Sequence, residues 1–136
     1  MRYLGIDYGD RHVGFAIGDD ETRVGVPLHT ITYLTPDHLV DEIKKIVREE
    51  SIDVLVVGMP LYRIGRHDAA QIQREKTETF VHTLQSAMAT PVKIQDESFT
   101  SSQAARHIRE TSIRTKDDHS IAAMLILQSF LDSLAP

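Results

Sequence analysis

The chain of 136 residues contains no cysteine. This absence excludes disulfide bonds, thiol nucleophiles and thiolate metal sites, so any metal ion must bind oxygen or imidazole ligands. No apolar run is long enough to cross a membrane, and the opening sequence MRYLGIDYGD has no apolar stretch of signal-peptide length. The sequence therefore predicts a cytoplasmic protein with no membrane partner.

The chain also lacks an excess of positive charge. Its 15 Lys and Arg residues are outnumbered by 20 Asp and Glu residues, which gives a formal net charge of -5. This argues against binding of nucleic acid through an overall positive field, because phosphate affinity normally comes from clustered basic residues. Basic residues are grouped locally, however, and such a group is either a nucleic-acid contact or a solvated surface. The candidate nucleic-acid-binding residues are Arg11, Arg63, Arg66, Arg106, Arg109, Arg114 and Lys116.

Five apolar segments predict strands. The first three are separated only by short glycine-containing or acidic turns, so we expect them to pair as a meander. The fourth is apolar without alternation, which is typical of a strand covered on both faces. The predicted strands span residues 3–7, 13–18, 24–31, 52–58 and 91–94.

Apolar spacing and N-cap signals predict the helices. A Thr-Pro pair at Thr35 opens a helix over 37–50. A longer helix is predicted over 68–88, and Thr100 and Thr115 each begin a capping box that opens a further helix. The apolar stripe predicted for the long helix consists of Ile72, Phe80, Leu84 and Met88.

This order of elements predicts an α/β fold of the RNase H-like type. Three meander strands followed by two strands separated by helices give a mixed five-stranded sheet, with an antiparallel meander, two parallel strands and helices on both faces. The length is that of one ordinary domain. We therefore expect residues 1–136 to form a single RNase H-like domain.

Asp7 ends the first predicted strand, within the sequence Gly-Ile-Asp-Tyr-Gly. The flanking glycines allow a tight turn and close backbone approach. A carboxylate at this position points into the crevice where mixed α/β sheets bind ligands. The alternative is a turn aspartate that bonds its own backbone, and this pentapeptide leaves both interpretations open.

Two further acidic groups stand at the ends of predicted elements. Asp96 and Glu97 follow the fifth strand, and Asp118 and His119 lie at the start of the last helix. Each has an ordinary explanation, since negative charge near a helix N-terminus caps and stabilises the helix. Their convergence with Asp7 favours a metal site instead, because clustered carboxylates repel one another without a cation. Mg²⁺ and Mn²⁺ are the ions that prefer such oxygen ligands.

The remaining histidines show no His-x-x-x-His pairing and no companion ligands. The sequence therefore predicts no zinc site, and these side chains are interpreted as ordinary ones. They are His12, His29, His38, His67, His82 and His107.

Four ordered blocks carry a resemblance to a known family. They are LGIDYG at 4–9, VGMPL at 57–61, DESFTS at 96–101 and SIAAMLILQ at 120–128. The chain resembles the YqgF/RuvX family nearly end to end, a group of pre-16S rRNA nucleases and Holliday junction resolvases. The resemblance implies an RNase H-like fold and metal-dependent hydrolysis of phosphodiesters in structured nucleic acid.

The resemblance also implies substrates and partners. The first implied function is processing of the 5′ end of pre-16S rRNA in ribosome biogenesis, with a precursor of the ribosomal subunit as a partner. The alternative is resolution of four-way DNA junctions, which demands two sites and hence a homodimer rather than a monomer.

The resemblance assigns site residues where the motifs match. Asp7 matches the family's first-strand aspartate, and Glu97 matches the glutamate of its Asp-Glu-Arg motif. The family usually has aspartate immediately before Ser-x-Ala-Ala, where this chain has His119, with Asp118 one residue earlier. The implied ligands of Mg²⁺ or Mn²⁺ are therefore Asp7, Glu97 and either Asp118 or His119, since imidazole also binds metals. A weakened site that only binds RNA is a further alternative.

An Asp-x-Gly sequence on a first hairpin is also typical of actin-like ATPases and sugar kinases. Those enzymes need two such domains to enclose a nucleotide. A chain of 136 residues supplies one, so the sequence favours the nuclease interpretation.

Overall fold

The computed structural model describes residues 1–59, 69–96 and 118–135. Within these ranges the chain forms five strands and three helices. The strands are β1 (Arg2–Asp7), β2 (His12–Asp19), β3 (Val26–Thr32), β4 (Val54–Met59) and β5 (Val92–Asp96). The helices are α1 (Pro36–Glu49), α2 (Ala69–Ala87) and α3 (Asp118–Asp132).

The strands form one mixed sheet in the order β3-β2-β1-β4-β5. β1 pairs antiparallel with β2, and β2 with β3, so the first three strands are a meander. β1 and β4 are parallel, as are β4 and β5. This arrangement confirms the predicted RNase H-like sheet and places β1 at its centre.

The two faces of the sheet carry separate hydrophobic cores. Leu4 and Ile6 of β1 pack into the core beneath α1 and α2, whereas Tyr3 packs into the core beneath α3. Successive side chains of a strand point to opposite faces, so one strand supplies both cores. All six residues of β4 are buried, as its uninterrupted apolar sequence predicted. The helices therefore cover both faces, with α3 on the face opposite to α1 and α2.

The helix signals are confirmed for α1 and only partly for α2. Thr35 caps α1, with its hydroxyl oxygen accepting a hydrogen bond from the backbone N–H of His38 at 3.1 Å. In α2, Phe80 and Leu84 are buried as predicted, but Ile72 is 56% exposed. The prediction for Ile72 was wrong because 3.6 residues per turn place it roughly 130° around the helix from the centre of the buried stripe.

Two other features bear on the sequence predictions. Thr100 and Thr115, the predicted caps, lie outside the described residues. Among the helices in the described ranges, none has the length and apolar character required to span a membrane.

Candidate active site at the end of strand β1

Asp7 is the last residue of β1, at the C-terminal end of the central strand. Strand alternation places it on the same face as Tyr3 and Gly5, which is the face covered by α3. Its side chain retains 20% of its accessible surface. The carboxylate is thus held by the sheet but remains reachable from solvent.

His119, in the first turn of α3, contacts Asp7. Its Nδ1 atom lies 3.2 Å from Asp7 Oδ2. An ionised carboxylate only accepts hydrogen bonds, so Nδ1 is the donor in this pair. The sequence left open whether Asp118 or His119 faces Asp7, and the described residues show this contact for His119. Asp118 begins α3, but its side chain lies outside the described residues.

Glycines bring the backbone of α3 close enough for this contact. Gly14 of β2 is paired with Asp7, and a Cβ atom there would overlap the carbonyl group of His119. At Gly5 a Cβ atom would lie 2.8 Å from Leu127 Cβ and 2.9 Å from the Ala123 carbonyl oxygen. The first turns of α3 therefore rest directly on the β1–β2 hairpin. Sequence reasoning missed this role of Gly14, although its position on the strand opposite Asp7 was a usable signal.

A second imidazole lies beside the pair. The ring of His12 is 5.6 Å from the ring of His119, measured between centroids, with a tilt of 39°. Its Nδ1 atom is 3.0 Å from Thr32 Oγ1, on the residue opposite in the β2–β3 register. His12 was interpreted from the sequence as an ordinary side chain, and the structure places it beside the Asp7–His119 pair. The available signal was its two-residue spacing from Gly14, which puts both on one face of β2.

Aromatic contacts fix the turn that follows Asp7. The ring of Tyr8 stacks on Phe80 of α2, with centroids 4.2 Å apart. The Tyr33 hydroxyl donates a hydrogen bond of 2.9 Å to the carbonyl oxygen of Gly9. Burial, together with the hydrogen bond to Tyr8, raises the pKa of Tyr33, so this donor stays protonated into the alkaline range.

Polar contacts from α2 hold the same turn. The Gln73 side chain donates to the Tyr8 carbonyl oxygen at 3.0 Å. Lys76 Nζ lies 3.0 Å from Asp10 Oδ1, in an exposed ion pair. Surface pairs of this kind contribute little stability, so the aromatic and backbone contacts are the main restraints on the turn.

Of the acidic pair predicted at the end of β5, the described residues include Asp96. Asp96 is paired with Met59, whose side chain packs into the core beneath α1 and α2. Paired residues of adjacent strands share a face, so Asp96 occupies a position on the face opposite to Asp7. Glu97, the residue chosen as a ligand, lies outside the described residues.

Of the candidate nucleic-acid-binding residues, one is described by the structure and the others are not. Arg11 is exposed in the turn between β1 and β2, next to the site. The others lie outside the described residues, namely Arg63, Arg66, Arg106, Arg109, Arg114 and Lys116.

Two candidate metal ligands lie together within the described ranges. Asp7 offers carboxylate oxygens and His119 offers imidazole nitrogen, both of which suit divalent cations. Within these ranges no three His, Asp or Glu side chains come together as a metal site. The donors present fit a divalent cation, and the other predicted ligands are Glu97 and Asp118.

Comparison with known proteins identifies related sequences and folds. The family model described as RuvX, Holliday junction resolvase, matches residues 1–133. A Chloroflexus aggregans protein described as "Putative pre-16S rRNA nuclease" is 36% identical over an alignment of 136 positions, which spans 96% of this chain and 92% of that protein.

Solved structures support the fold. Thermus thermophilus RuvC superposes with a TM-score of 0.58 at 14% identity, over 96% of this chain and 94% of that one. The fowlpox virus resolvase, solved with Holliday junction DNA, gives a TM-score of 0.56 at 13% identity, with full coverage of both chains. Likeness at this level of identity shows the RNase H-like fold and nothing about substrate.

Proposed function

Since the chain belongs to the RuvX family, we propose that it is a metal-dependent nuclease that hydrolyses phosphodiester bonds in structured nucleic acid. The proposed substrate is pre-16S rRNA, which the description of its relative names, and the proposed position of cleavage is its 5′ end. The observation that carries the proposal is the pair formed by Asp7 and His119 at the end of the central strand, 3.2 Å apart and open to solvent. A cytoplasmic location is part of the proposal and fits the absence of cysteine.

We assign Asp7, Glu97, Asp118 and His119 as the groups that hold Mg²⁺ or Mn²⁺. In the described part of the chain, His119 engages Asp7 Oδ2, and Asp7 Oδ1 makes no hydrogen bond. When bound, the cation supplies an activated water and neutralises negative charge on the phosphate. If both atoms of the pair bind a cation, the proton between them must leave, so metal affinity should increase with pH.

The chain's own residues orient the carboxylate and admit the substrate. The hydrogen bond from His119 fixes the rotamer of Asp7, and the turn that follows is held by Tyr8 and Tyr33. Arg11, exposed in the turn that follows β1, is a proposed source of the local positive charge that a chain of net charge -5 needs in order to attract phosphate. No side-chain nucleophile is required. The further phosphate contacts that we propose are Arg63, Arg66, Arg106, Arg109, Arg114 and Lys116.

The test is a cleavage assay on an RNA that carries the 5′ extension of 16S rRNA, with Mg²⁺ or Mn²⁺. We expect Asp7→Asn to reduce the rate at least about 100-fold, because even groups that only orient metal ligands change activity by up to this factor. Asp41→Asn is the matched control, since Asp41 is exposed on α1, away from the site. Equal rates for Asp7→Asn and the native chain would refute the assignment.

Cleavage of branched DNA is the second candidate, favoured by the description of the matching family. The same variants are assayed on a four-way DNA junction, with paired cuts as the expected product of a dimer. Cleavage of the junction but not of the RNA would move the substrate from RNA to DNA.

A third candidate is an RNA-binding module whose site has been disarmed. It is favoured by the contact of His119 with Asp7, which occupies one carboxylate oxygen. His119→Asp discriminates. Activity that is present in this variant and absent from the native chain supports binding as the native role.

A further inference from the structure

His12 is a polar side chain beside the Asp7–His119 pair that the proposed chemistry does not use. One ring nitrogen, Nδ1, is engaged by Thr32 Oγ1 at 3.0 Å. The other, Nε2, has no partner among the residues that the structure describes. The ring is half-buried and not a freely moving surface group.

Three restraints fix the direction of this ring. His12 is the first residue of β2, paired with Thr32 of β3, so its backbone belongs to the sheet. The hydrogen bond to Thr32 fixes one edge of the ring, and the ring of His119 packs against it with a centroid separation of 5.6 Å. A side chain that is already ordered loses little rotamer entropy when it binds a ligand.

The pair of His12 and Thr32 allows two hydrogen-bond arrangements, and the one in which Thr32 donates suits a phosphate ligand. A threonine hydroxyl can donate as well as accept, so Thr32 can donate to Nδ1. A neutral imidazole that accepts at Nδ1 carries its proton on Nε2, which makes the open nitrogen a donor. Its natural partner is a group that only accepts, and the phosphate oxygens of a nucleic-acid strand are such acceptors.

We propose that His12 is a substrate-binding residue, whose Nε2–H donates a hydrogen bond to a phosphate oxygen of the strand bound at Asp7. This inference rests on the proposed function in so far as the substrate is a nucleic acid. Arg11, the preceding residue, is exposed and supplies charge at the same turn. Arg11 attracts the strand, and His12 sets its position.

The test uses variants that separate the nitrogen atoms from the packing of the ring. His12→Phe keeps an aromatic ring against His119 and removes both nitrogens. Thr32→Val removes the hydroxyl group with little change of shape, and Thr32→Ser restores a hydroxyl. His82→Phe is the matched control. It makes the same chemical change at an exposed position of α2, away from the site.

Two measurements are made with the RNA that carries the 5′ extension. The first is KM and kcat in each variant, and the second is the Kd from fluorescence anisotropy in an Asp7→Asn background, where the RNA stays intact. We expect His12→Phe to raise KM and Kd by roughly 10- to 100-fold, the effect of a hydrogen bond to a charged partner, with kcat nearly unchanged. Thr32→Val should act in the same direction but less, and Thr32→Ser should recover the native KM.

The tautomer gives an independent readout. In a ¹⁵N imidazole correlation spectrum of the Asp7→Asn protein with this RNA, we expect the His12 proton on Nε2. A proton on Nδ1 alone in the complex overturns the proposal. So does a His12→Phe variant that loses Mn²⁺ affinity while KM for RNA is unchanged, since His12 would then serve the metal.

The outcomes separate this inference from the proposed function. Cleavage that depends on Asp7, combined with native KM in His12→Phe, overturns only the role of His12. If the native chain binds RNA without cutting it, the nuclease proposal fails and the anisotropy measurement still decides the phosphate contact. If His12→Phe does not fold, as judged by circular dichroism, His12→Ala is used in the same measurements.

Discussion

Replacement of Gly14 by alanine tests whether the close backbone contact between α3 and β2 is required for the candidate site. The added methyl group would overlap the backbone of His119 and Ser120. Carbon atoms in contact need about 3.5–4.0 Å, so the first turn of α3 must move by at least about 1 Å. Backbone on both sides of the clash leaves no flexible side chain to absorb this movement.

The displacement is large in relation to the contact that it affects. His119 Nδ1 lies 3.2 Å from Asp7 Oδ2, and a further 1 Å takes the pair beyond hydrogen-bonding distance. Misplacement of a catalytic group by about 1 Å costs about 100-fold in rate. We therefore expect Gly14→Ala to reduce cleavage about 100-fold.

The effect on stability is smaller because two terms oppose each other. Overpacking costs about 1–3 kcal/mol, whereas alanine in place of glycine within a strand contributes about 0.5–1 kcal/mol. The net loss of about 1–2 kcal/mol corresponds to a decrease in Tm of roughly 3–10 °C for a chain of this size. The protein should thus remain folded at assay temperature while it loses activity.

The assay pairs calorimetry with the RNA cleavage rate, and Gly25→Ala is the control. A Cβ atom at Gly25 would meet nothing closer than the Met124 carbonyl oxygen at 3.4 Å, which is an ordinary van der Waals contact. Native activity and native Tm in Gly14→Ala would refute the proposed close contact between α3 and Gly14. Equal losses of cleavage rate and Tm in Gly14→Ala and Gly25→Ala would show that the effect is not specific to the contact at Gly14.

Three further predictions concern the supports of the site. Tyr33→Phe should make stability less sensitive to alkali: because burial raises the pKa of Tyr33 above 10.0, its stabilising contribution is complete below about pH 10 and is lost as the pH rises further. Urea midpoints at about pH 9 and about pH 11 check this, and an equal alkaline loss in both proteins contradicts it. Phe80→Ala, which removes a buried ring stacked on Tyr8, should lower the free energy of unfolding by about 3–5 kcal/mol, and a loss under about 1 kcal/mol would argue against the stacking. Thr35→Ala should cost about 1 kcal/mol through loss of the α1 cap, whereas Thr35→Ser should be nearly neutral, both measured by urea denaturation.

Most of the fold could be predicted because its signals are local. The apolar run of β4, the Thr-Pro start of α1 and the strand that ends at Asp7 each depend on a window of a few residues. The wrong prediction for Ile72 also comes from the use of local signals. The long helix α2 has few apolar residues, so its sequence defines the buried face only weakly. Local periodicity identifies an element more reliably than it identifies the face that will be buried.

The sequence by itself determined the order of the elements and the position of Asp7 at the end of the first strand, because both follow from local patterns of apolar residues, whereas the central place of that strand came from the sheet order. Only the tertiary structure decided that His119 faces Asp7, that Asp96 belongs to the opposite face and that His12 lies beside the pair. The physical reason is distance along the chain. Asp7 and His119 are 112 residues apart, and their contact depends on the register of β1 with β2 and on a helix backbone that rests on glycine.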